Sequence, residues 1–458
     1  MKAVGLFDRL FSYIYGAKPQ AMKKTSTLLV CAILAAHSVY AQSGLIYSIS
    51  TGPGEDASTQ MCISWATDTT VTASYILYTL EGDGGWDAAI KAPAQEQRRC
   101  DIFNGAFSDT ADGKDCYEDA VFIKYGTILS GLEPDTDYKY VIETKDGERS
   151  SEHHFRTAGA KKWSACIISD FHSWPPLQSR LDCAMSMIDT MAGVDPSLDF
   201  IFCPGDVVAY GTCYSFWRRL FEERGFENYM WARVNGNHDN WSKLSVKNHE
   251  FDLPNHFFTA TSYYPHNSYA GELGVCYHFR YGNTLFIMLN SEDMSEKKGE
   301  FDAAVEWARS VVSQARKSAN PPTFVVACMH YEWFIGTNGR TSQYGRWAKV
   351  FDELGVDLAV AGNNHVYLRT LPLYQGQKTD GKRNGTVYLQ TSSSDNGRGR
   401  AISETEFQNP DLIENRWSEG SKTVSAIHMA VDSKSISLTL LDRNGNKVDN
   451  YVLKAKKR

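Results

Sequence analysis

The chain has 458 residues, more than a single hydrophobic core usually supports, so its length predicts at least two domains. Hydrophobic residues make up 42% and charged residues 22% of it, which is the balance of a globular protein with little room for extended disorder. The formal net charge of -7 excludes a general electrostatic attraction to nucleic acid or to anionic membranes. Any phosphate-bearing ligand must therefore be held by local groups.

The N-terminal part of the chain has the pattern of a secretory signal peptide. Lys23 and Lys24 precede an apolar run over residues 28–36, and small residues follow it up to Ala41. The run is far shorter than the about 20 residues that span a bilayer. We therefore predict cleavage after Ala41, export to a periplasmic, secreted or cell-surface location, and no transmembrane anchor.

Residues 1–21 lie ahead of this signal and resemble neither a fold nor a targeting sequence, so Met22 is an alternative start. A lipid anchor on Cys31 is a second alternative, which the bulky Val30 before the cysteine disfavours. In each case residues 1–41 are excluded from the predicted fold.

Export would place the cysteines in an oxidising compartment, where disulfides persist. Cys100 and Cys116 lie in one Gly- and Asp-rich stretch and are a candidate loop-closing pair. Cys166, Cys203 and Cys328 lie in apolar runs and are predicted to be core residues. The cysteines alone define neither a disulfide framework nor a zinc site.

Residues 42–158 are predicted to form a β-sandwich, because short strand-like runs separated by turn residues fill this segment and no run has helical periodicity. The clearest runs are residues 60–66, 72–79, 121–129 and 138–143. Residues 132–138 resemble the segment of fibronectin type III domains in which a tyrosine, here Tyr138, stacks over a corner. An ordinary Pro-Asp turn is the alternative.

Residues 159–458 are predicted to form a layered α/β domain, because strand-like runs alternate there with amphipathic helical stretches. The predicted strands are residues 165–169, 199–203, 231–234, 284–289, 323–329 and 357–361. The predicted helices are residues 179–192, 215–223, 301–317 and 344–354. Later strand-like runs, at residues 387–391, 424–431 and 436–441, are expected to complete a second sheet of the same domain.

Five of the predicted strands end in side chains that can bind a metal. These side chains are Asp170, His172, Asp206, Asn237, His330 and His365. Parallel strands place their carboxyl ends at one edge of a sheet, so we expect these groups to meet there. One aspartate after a strand is usually a helix cap or turn former, but five strand ends in this order favour a metal site.

The order Asp-x-His, Gly-Asp, Gly-Asn-His-Asp, an apolar strand ending in His, and Gly-x-x-His resembles the calcineurin-like metallophosphoesterases. With a β-sandwich ahead of it, the chain is similar to the purple acid phosphatase branch over essentially the whole mature length. The resemblance implies an α+β, multi-domain fold, with the N-terminal β-sandwich followed by a four-layer α/β/β/α domain. It also implies a small phosphorylated substrate as partner, and no nucleic-acid scaffold.

The same resemblance implies two divalent or mixed-valence metal ions, of Fe, Mn or Zn. The residues that it implies for the first ion are Asp170, His172, Asp206 and His365. Asp206 would bridge to the second ion, which Asn237 and His330 would hold. Carboxylate, amide and imidazole ligands without a thiolate cluster suit these metals rather than a purely structural zinc ion.

Two cations about 3.5–4 Å apart supply what phosphate ester hydrolysis needs, namely a metal-bound hydroxide near neutral pH and neutralisation of the phosphoryl oxygens. The resemblance places His238 over the site with Asn237, where it would bind the substrate phosphate or protonate the leaving oxygen. Asp239 either orients His238 or has only a turn role.

Two positions depart from the family pattern. Ala209 stands where purple acid phosphatases have the tyrosine that binds ferric iron, with Tyr210 one place later, so we predict a protein that is not purple. Asn363 stands where a histidine usually binds the second metal, and an amide oxygen is a weaker donor than imidazole. The second site is therefore expected to have low affinity, to select a harder ion such as Mn, or to lose its ion on purification. Whether Asn363 coordinates the ion is left open.

Arg398 and Arg400 lie in a Gly-rich loop and are candidate bidentate phosphate ligands, although a solvated loop is the favoured alternative. Tyr331, Trp333 and Tyr367 either line the cleft or pack in the core.

The leading prediction is an acid phosphatase-like phosphomonoesterase. A phosphodiesterase or nucleotide hydrolase is the alternative on the same scaffold, because metal ligands do not encode how many ester groups the phosphorus carries. A surface binding protein weakened by Asn363 is the alternative of another class, and retention of His238 counts against it. The sequence predicts neither the natural substrate nor the oligomeric state.

Overall fold

The computed structural model describes residues 44–102, 120–160, 162–173, 177–240, 257–296, 298–335, 343–395 and 399–457. The predicted signal peptide, Cys31, Cys116 and Arg398 lie outside these residues. Cleavage after Ala41, a lipid anchor, a disulfide between Cys100 and Cys116 and a phosphate contact from Arg398 therefore stay predictions.

The N-terminal strands form two four-stranded antiparallel sheets, one with the order β1-β2-β6-β5 and the other with the order β4-β3-β7-β8. The strands are β1 (Ile46–Pro53), β2 (Gln60–Thr67), β3 (Ser74–Leu80), β4 (Ile90–Pro93), β5 (Glu96–Ile102), β6 (Ala120–Ser130), β7 (Asp137–Thr144) and β8 (His153–Arg156). The buried Trp65 ring stacks on Tyr125, and its indole N–H donates to Ser74 of the opposite sheet. The predicted β-sandwich is thus present.

Tyr138 closes a corner of this sandwich at the start of β7. Its hydroxyl oxygen accepts a hydrogen bond from the backbone N–H of Glu133 at 2.9 Å, and its ring stacks on Phe155 with centroids 5.2 Å apart. The tyrosine expected over a corner is therefore in place, and it fixes the turn at residues 132–138.

The second part of the chain contains two larger mixed sheets. The six-stranded sheet has the order β11-β10-β9-β21-β22-β23, formed by Met230–Arg233, Phe200–Cys203, Trp163–Ile167, Ser425–Val431, Ser435–Asp442 and Lys447–Lys454 respectively. The seven-stranded sheet has the order β12-β13-β14-β15-β19-β16-β20, formed by Tyr277–Tyr281, Thr284–Met288, Phe324–Cys328, Leu358–Ala361, Val387–Gln390, Tyr367–Thr370 and Ile413–Trp417. A short hairpin is formed by β17 (Leu373–Tyr374) and β18 (Gln377–Lys378).

Helices cover the outer faces of both sheets. They are α1 (Leu177–Val194), α2 (Tyr214–Phe221), α3 (Arg224–Asn228), α4 (Phe257–Ala260), α5 (Ser291–Glu296), α6 (Lys298–Lys317) and α7 (Tyr344–Leu354). Phe202 of β10 meets Phe286 of β13 in the core between the sheets. Ile201 packs outward with α1 and α2, and Val325 packs outward with α6 and α7. The alternation along each strand produces the expected α/β/β/α layers.

The structure corrects two expectations about the sheets. The five strands that carry the candidate ligands do not share one sheet, because β9, β10 and β11 belong to the six-stranded sheet and β14 and β15 to the seven-stranded one. The three later runs do not all complete a second sheet either: β19 joins the seven-stranded sheet, whereas β21 and β22 join the six-stranded one, where β21 pairs antiparallel with β9. Strands buried on both faces are apolar throughout, so their sequences do not indicate which sheet they join.

The predicted core cysteines Cys166, Cys203 and Cys328 are buried in β9, β10 and β14, which confirms that interpretation. No helix in the described part of the chain is long and apolar enough to cross a membrane.

Candidate active site

The side chains that follow the five strands converge at one end of the two facing sheets. Three overlapping groups have ligand atoms within 4.8 Å of one another: Asp170 with His172 and His365, His172 with Asp206 and His238, and Asp170 with Asp206 and His330. The six-stranded sheet contributes one side of this cluster and the seven-stranded sheet the other. The gap between two sheets, rather than the edge of one, positions the site.

Asp206 lies at the centre of the cluster. Its Oδ2 is 3.0 Å from Nε2 of His172 and 3.2 Å from Nε2 of His330, two histidines expected to serve different metals. Its Oδ1 accepts the backbone N–H of His238 at 2.9 Å. One carboxylate oxygen thus lies between the two expected halves of the site, where a bridging ligand would be needed.

Three histidines of the cluster place Nδ1 against a backbone carbonyl oxygen. The pairs are His172 with Asp170 at 2.8 Å, His238 with Ala209 at 2.9 Å and His330 with Pro204 at 2.7 Å. A protonated Nδ1 donates to each carbonyl, so Nε2 carries the lone pair in the neutral ring. This arrangement is typical of ligating histidines, because it fixes the tautomer and the orientation of the ring.

Several cluster residues have backbone angles in the left-handed region. They are Asp170 (φ 54°), His172 (φ 43°), Asp206 (φ 56°), Asn363 (φ 72°) and His365 (φ 57°). These are five of the nine non-glycine residues with positive φ in the described ranges. Each such conformation costs about 1 to 3 kcal/mol and is found mostly where packing and function require it.

Two glycines of the motifs are required by close approach. A Cβ on Gly236 would lie 2.2 Å from Oδ1 of Asp206, and a Cβ on Gly362 would lie 2.5 Å from Oδ2 of Asp170. Real Cβ atoms do not approach so closely, so a side chain at either position would displace a candidate ligand.

Asp239 holds the loop that carries Asp206. Its carboxylate accepts the backbone N–H groups of Asp206, Val207, Val208 and Gly236, at 2.9 to 3.2 Å. Burial, together with the charge of Asp206, raises the pKa of Asp239 to about 7. Of the two expectations for Asp239, these four bonds agree with a role in the turn, and Nδ1 of the His238 ring meets the Ala209 carbonyl.

The second half of the expected site contains two asparagines. Oδ1 of Asn237 lies 3.0 Å from Nε2 of His330. The backbone N–H of Asn363 donates to Oδ1 of Asp170 at 2.9 Å, and its side-chain Nδ2 donates to the carboxylate of Glu332. Sequence reasoning missed Glu332; the available signal was an acidic residue two places after His330 in an otherwise apolar and aromatic stretch.

The other predicted cleft residues make contacts within the protein. Arg400 donates to Oδ1 of Asn364 and to Oε2 of Glu406, each at 3.0 Å. These bonds hold the loop, and a phosphate contact from Arg400 stays a prediction.

The aromatic candidates pack rather than line an open wall. The Trp333 indole donates to the backbone carbonyls of Ala359 and Leu389, and the Tyr367 hydroxyl donates to Asp449. Tyr331 is also buried, which agrees with the packing alternative for all three.

The donor set fits a pair of cations. Asp170 and Asp206 are fully buried beside each other, an arrangement that costs several kcal/mol unless positive charge compensates it. Burial, with a further contribution from Asp206, raises the pKa of Asp170 to about 7 against the opposing effect of His330. Burial alone would raise the pKa of Asp206 as well, but His330 and the neighbouring imidazoles hold it well below its usual range. Carboxylates and imidazoles in this number suit Fe, Mn or Zn.

Two family models match the chain. The purple acid phosphatase N-terminal domain matches residues 47–157, and the calcineurin-like phosphoesterase matches residues 165–367. The chain therefore contains a calcineurin-like phosphoesterase domain, preceded by an N-terminal domain of the purple acid phosphatase type. The second domain is thus of the metallophosphoesterase type, and the His and Asp groups that converge in it could hold metal ions.

The chain is also similar to a protein of Mycobacterium tuberculosis. An uncharacterized protein of Mycobacterium tuberculosis, Rv2577 in strain H37Rv and MT2654 in strain CDC 1551, is 24% identical over 375 residues. That alignment covers 76% of this chain and 66% of the relative, so the chain spans somewhat less than two thirds of the relative's length.

Solved structures share the fold. The purple acid phosphatase PPD1 of yellow lupin (Lupinus luteus) superimposes with a TM-score of 0.64 at 15% identity, covering 91% of this chain and 75% of that one. PhoD superimposes with a TM-score of 0.55 at 12% identity, covering 89% of this chain and 93% of that one.

Proposed function

We propose that the protein is an acid phosphatase-like phosphomonoesterase that uses two cations at this cluster. The observation that carries the proposal is the position of Asp206 Oδ2 between His172 Nε2 and His330 Nε2. The proposed ligands of the first cation are Asp170, His172, Asp206 and His365. Those of the second are Asp206, Asn237, His330 and Asn363.

Bound cations would supply a nucleophile near neutral pH and neutralise charge on the transferred phosphoryl group. The chain's own residues would orient the substrate and move the proton. In protonated His238, the Nδ1–H group donates to the Ala209 carbonyl. The Nε2–H group then gives its proton to the leaving ester oxygen. The amide of Asn237, beside His330, would orient the phosphate as well as the cation.

Chromogenic phosphate monoesters and diesters, assayed side by side, test this proposal. Each assay uses chelated protein reloaded separately with Mn, Zn or Fe. We expect a higher kcat/KM for the monoester with at least one of these metals. A higher value for the diester would replace the proposal by the phosphodiesterase alternative. If no ester is turned over and the His238→Ala variant behaves identically, the binding-protein alternative stands instead.

We propose further that the protein acts outside the cytoplasm, with residues 42–158 as a fibronectin type III-like sandwich and residues 159–458 as the catalytic domain. The lysines and apolar run before Ala41 support export. N-terminal sequencing of the protein recovered from its native host should begin at Gln42. A start at Met22 or Met1 in the mature protein would contradict this proposal.

A further inference from the structure

The Asn363 side chain is held at its nitrogen end. Its Nδ2 donates to the Glu332 carboxylate, whereas its Oδ1 accepts no hydrogen bond from the described residues. The backbone of Asn363 is fixed in the left-handed region by the bond from its N–H to Asp170 Oδ1 at 2.9 Å. A planar amide bound through its nitrogen presents its oxygen on the other side.

Glu332 is set rigidly for this contact. Its side chain is buried, with 1% of the residue's surface exposed, two residues beyond the candidate ligand His330. The next residue, Trp333, anchors the segment through its indole bonds to the carbonyls of Ala359 and Leu389. Burying a carboxylate is costly unless charged or hydrogen-bonding partners compensate, and the Asn363 amide is one such partner.

We propose that Glu332 is a positioning residue that turns the Asn363 amide so that Oδ1 serves the second cation, and that Zn²⁺ is therefore favoured over Mn²⁺ less strongly at this site than at the first. This inference rests on the proposed function, because it assumes the two-cation site.

The proposed donor sets differ in hardness. Asp206, Asn237 and Asn363 would supply three oxygen donors to the second cation, and His330 would supply one nitrogen. The first cation would receive two carboxylates and two imidazoles. Oxygen donors favour Mn²⁺ and Mg²⁺, whereas imidazoles favour Zn²⁺. A hydrogen bond from the amide N–H to the Glu332 carboxylate also draws electron density toward the amide oxygen, which makes it a better ligand.

Metal titration of the chelated full-length protein tests the proposal without reference to turnover. Isothermal titration calorimetry with Mn²⁺ alone and with Zn²⁺ alone gives the number of sites and their affinities. We expect wild-type protein to bind two Mn²⁺ ions, and to bind Zn²⁺ much more weakly at the second site than at the first. Glu332→Gln should weaken the second Mn²⁺ ten- to a hundredfold and leave the first unchanged.

Glu272→Gln is a matched control. Glu272 is also a buried glutamate, with 2% of its surface exposed, and its Oε2 accepts Nδ2 of Asn290 at 3.0 Å. The same chemical change at that pair should leave both metal affinities at the wild-type values.

Substitutions of Asn363 complete the test. Asn363→Ala should lose second-site Mn²⁺ affinity as Glu332→Gln does. Asn363→His should raise second-site Zn²⁺ affinity and should make that affinity insensitive to Glu332→Gln, since no amide remains to be turned. Thermal melts in metal-free buffer check that each variant is folded.

Unchanged Mn²⁺ affinities in Glu332→Gln, or in Asn363→Ala if the glutamine variant does not fold, would overturn the positioning role. A Zn²⁺-to-Mn²⁺ affinity ratio at the second site as large as the ratio at the first would overturn the selectivity. Failure of the proposed function is distinguishable, since the wild type would then bind its cations but hydrolyse either no phosphate ester or diesters better than monoesters.

Discussion

At the scale of single residues, Asp206 connects the two halves of the proposed centre, because one of its oxygens faces both His172 and His330. Asp206→Asn removes the negative charge between the proposed cations. We expect metal analysis to find at most one bound ion per chain and activity to fall with it. Asp195→Asn, which alters a carboxylate paired with His428 away from the site, should keep the wild-type metal content.

His238 is predicted to act on the substrate rather than on the metals. His238→Ala should lower kcat by about 10² to 10⁴, the usual contribution of a general acid, while metal content stays at the wild-type level. Steady-state kinetics and metal analysis of the same preparation measure both. Since His238 lies within ligand distance of His172 and Asp206, loss of a metal from the variant would instead identify His238 as a ligand.

The alanine at position 209 indicates that the protein is not purple. A phenolate bound to ferric iron produces the visible charge-transfer band, and an alanine cannot supply it. Tyr210, one place later, packs against the outer core formed with α1 and α2 instead. The visible spectrum of iron-loaded protein should therefore lack the purple band, and a strong band would show that a tyrosine reaches the iron.

At the scale of elements, the loop between β10 and α2 depends on Asp239, which accepts four of the neighbouring backbone N–H groups. Asp239→Asn replaces one acceptor oxygen by an N–H₂ group that faces those donors. We expect a loss of about 1 to 3 kcal/mol in the free energy of unfolding and a ten- to hundredfold loss of metal affinity.

Comparison with His238→Ala shows whether Asp239 holds the loop or orients the His238 imidazole. With saturating metal, Asp239→Asn should retain a kcat close to that of the wild type, because the proton donor is intact. A kcat as low as that of His238→Ala, at full metal loading, would restore the expectation that Asp239 orients the imidazole.

The strand β8 should make stability sensitive to acid. His153 is buried and stacks on Tyr140 with ring centroids 5.3 Å apart, and burial lowers its pKa from 6.5 to about 4. Between these values the unfolded chain takes up a proton that the folded chain does not. The contribution of neutral His153 to the free energy of unfolding is therefore complete above pH 6.5. It falls as the pH is lowered, by roughly 2 kcal/mol at pH 5.

Urea unfolding of His153→Phe at pH 7 and pH 5 measures this contribution, because phenylalanine retains the stacking but cannot be protonated. The variant should lose less stability than the wild type between the two conditions. His154→Gln changes the exposed histidine beside it and should retain the wild-type sensitivity. An unchanged pH dependence in His153→Phe would mean that His153 does not contribute.

At the scale of the whole molecule, a buried ion pair joins the two large sheets away from the candidate site. Nε and Nη2 of Arg369 in β16 donate to the two carboxylate oxygens of Asp449 in β23, at 2.7 and 3.2 Å, and the Tyr367 hydroxyl donates to the same carboxylate at 2.6 Å. Asp449→Ala leaves the guanidinium buried without this partner. We expect a loss of about 3 kcal/mol in unfolding free energy with unchanged metal content.

The double variant Arg369→Met/Asp449→Ala is the control for that prediction. It removes both charges, so it should recover part of the lost stability. If the single variant is as stable as the wild type in urea unfolding, the pair does not hold the sheets together.

The sequence by itself determined the order of domains, most of the strands and helices, and the candidate ligands. Hydrophobic periodicity is local, so α7 and β2 could be predicted almost to the residue. The motifs could be recognised because each combines a buried strand with a glycine and a polar group, as Gly236 and Gly362 illustrate.

Only the tertiary structure decided which sheet each strand joins and which residues meet across the gap between the sheets. Residues 332 and 363 are far apart in sequence, so no local pattern could pair Glu332 with Asn363. The sequence allowed the Asp239 carboxylate to bond either to a histidine or to backbone amides. In the folded loop it accepts backbone N–H groups. Such contacts join chain segments that are distant in sequence and meet only when the chain packs. Patterns in consecutive residues therefore do not predict them.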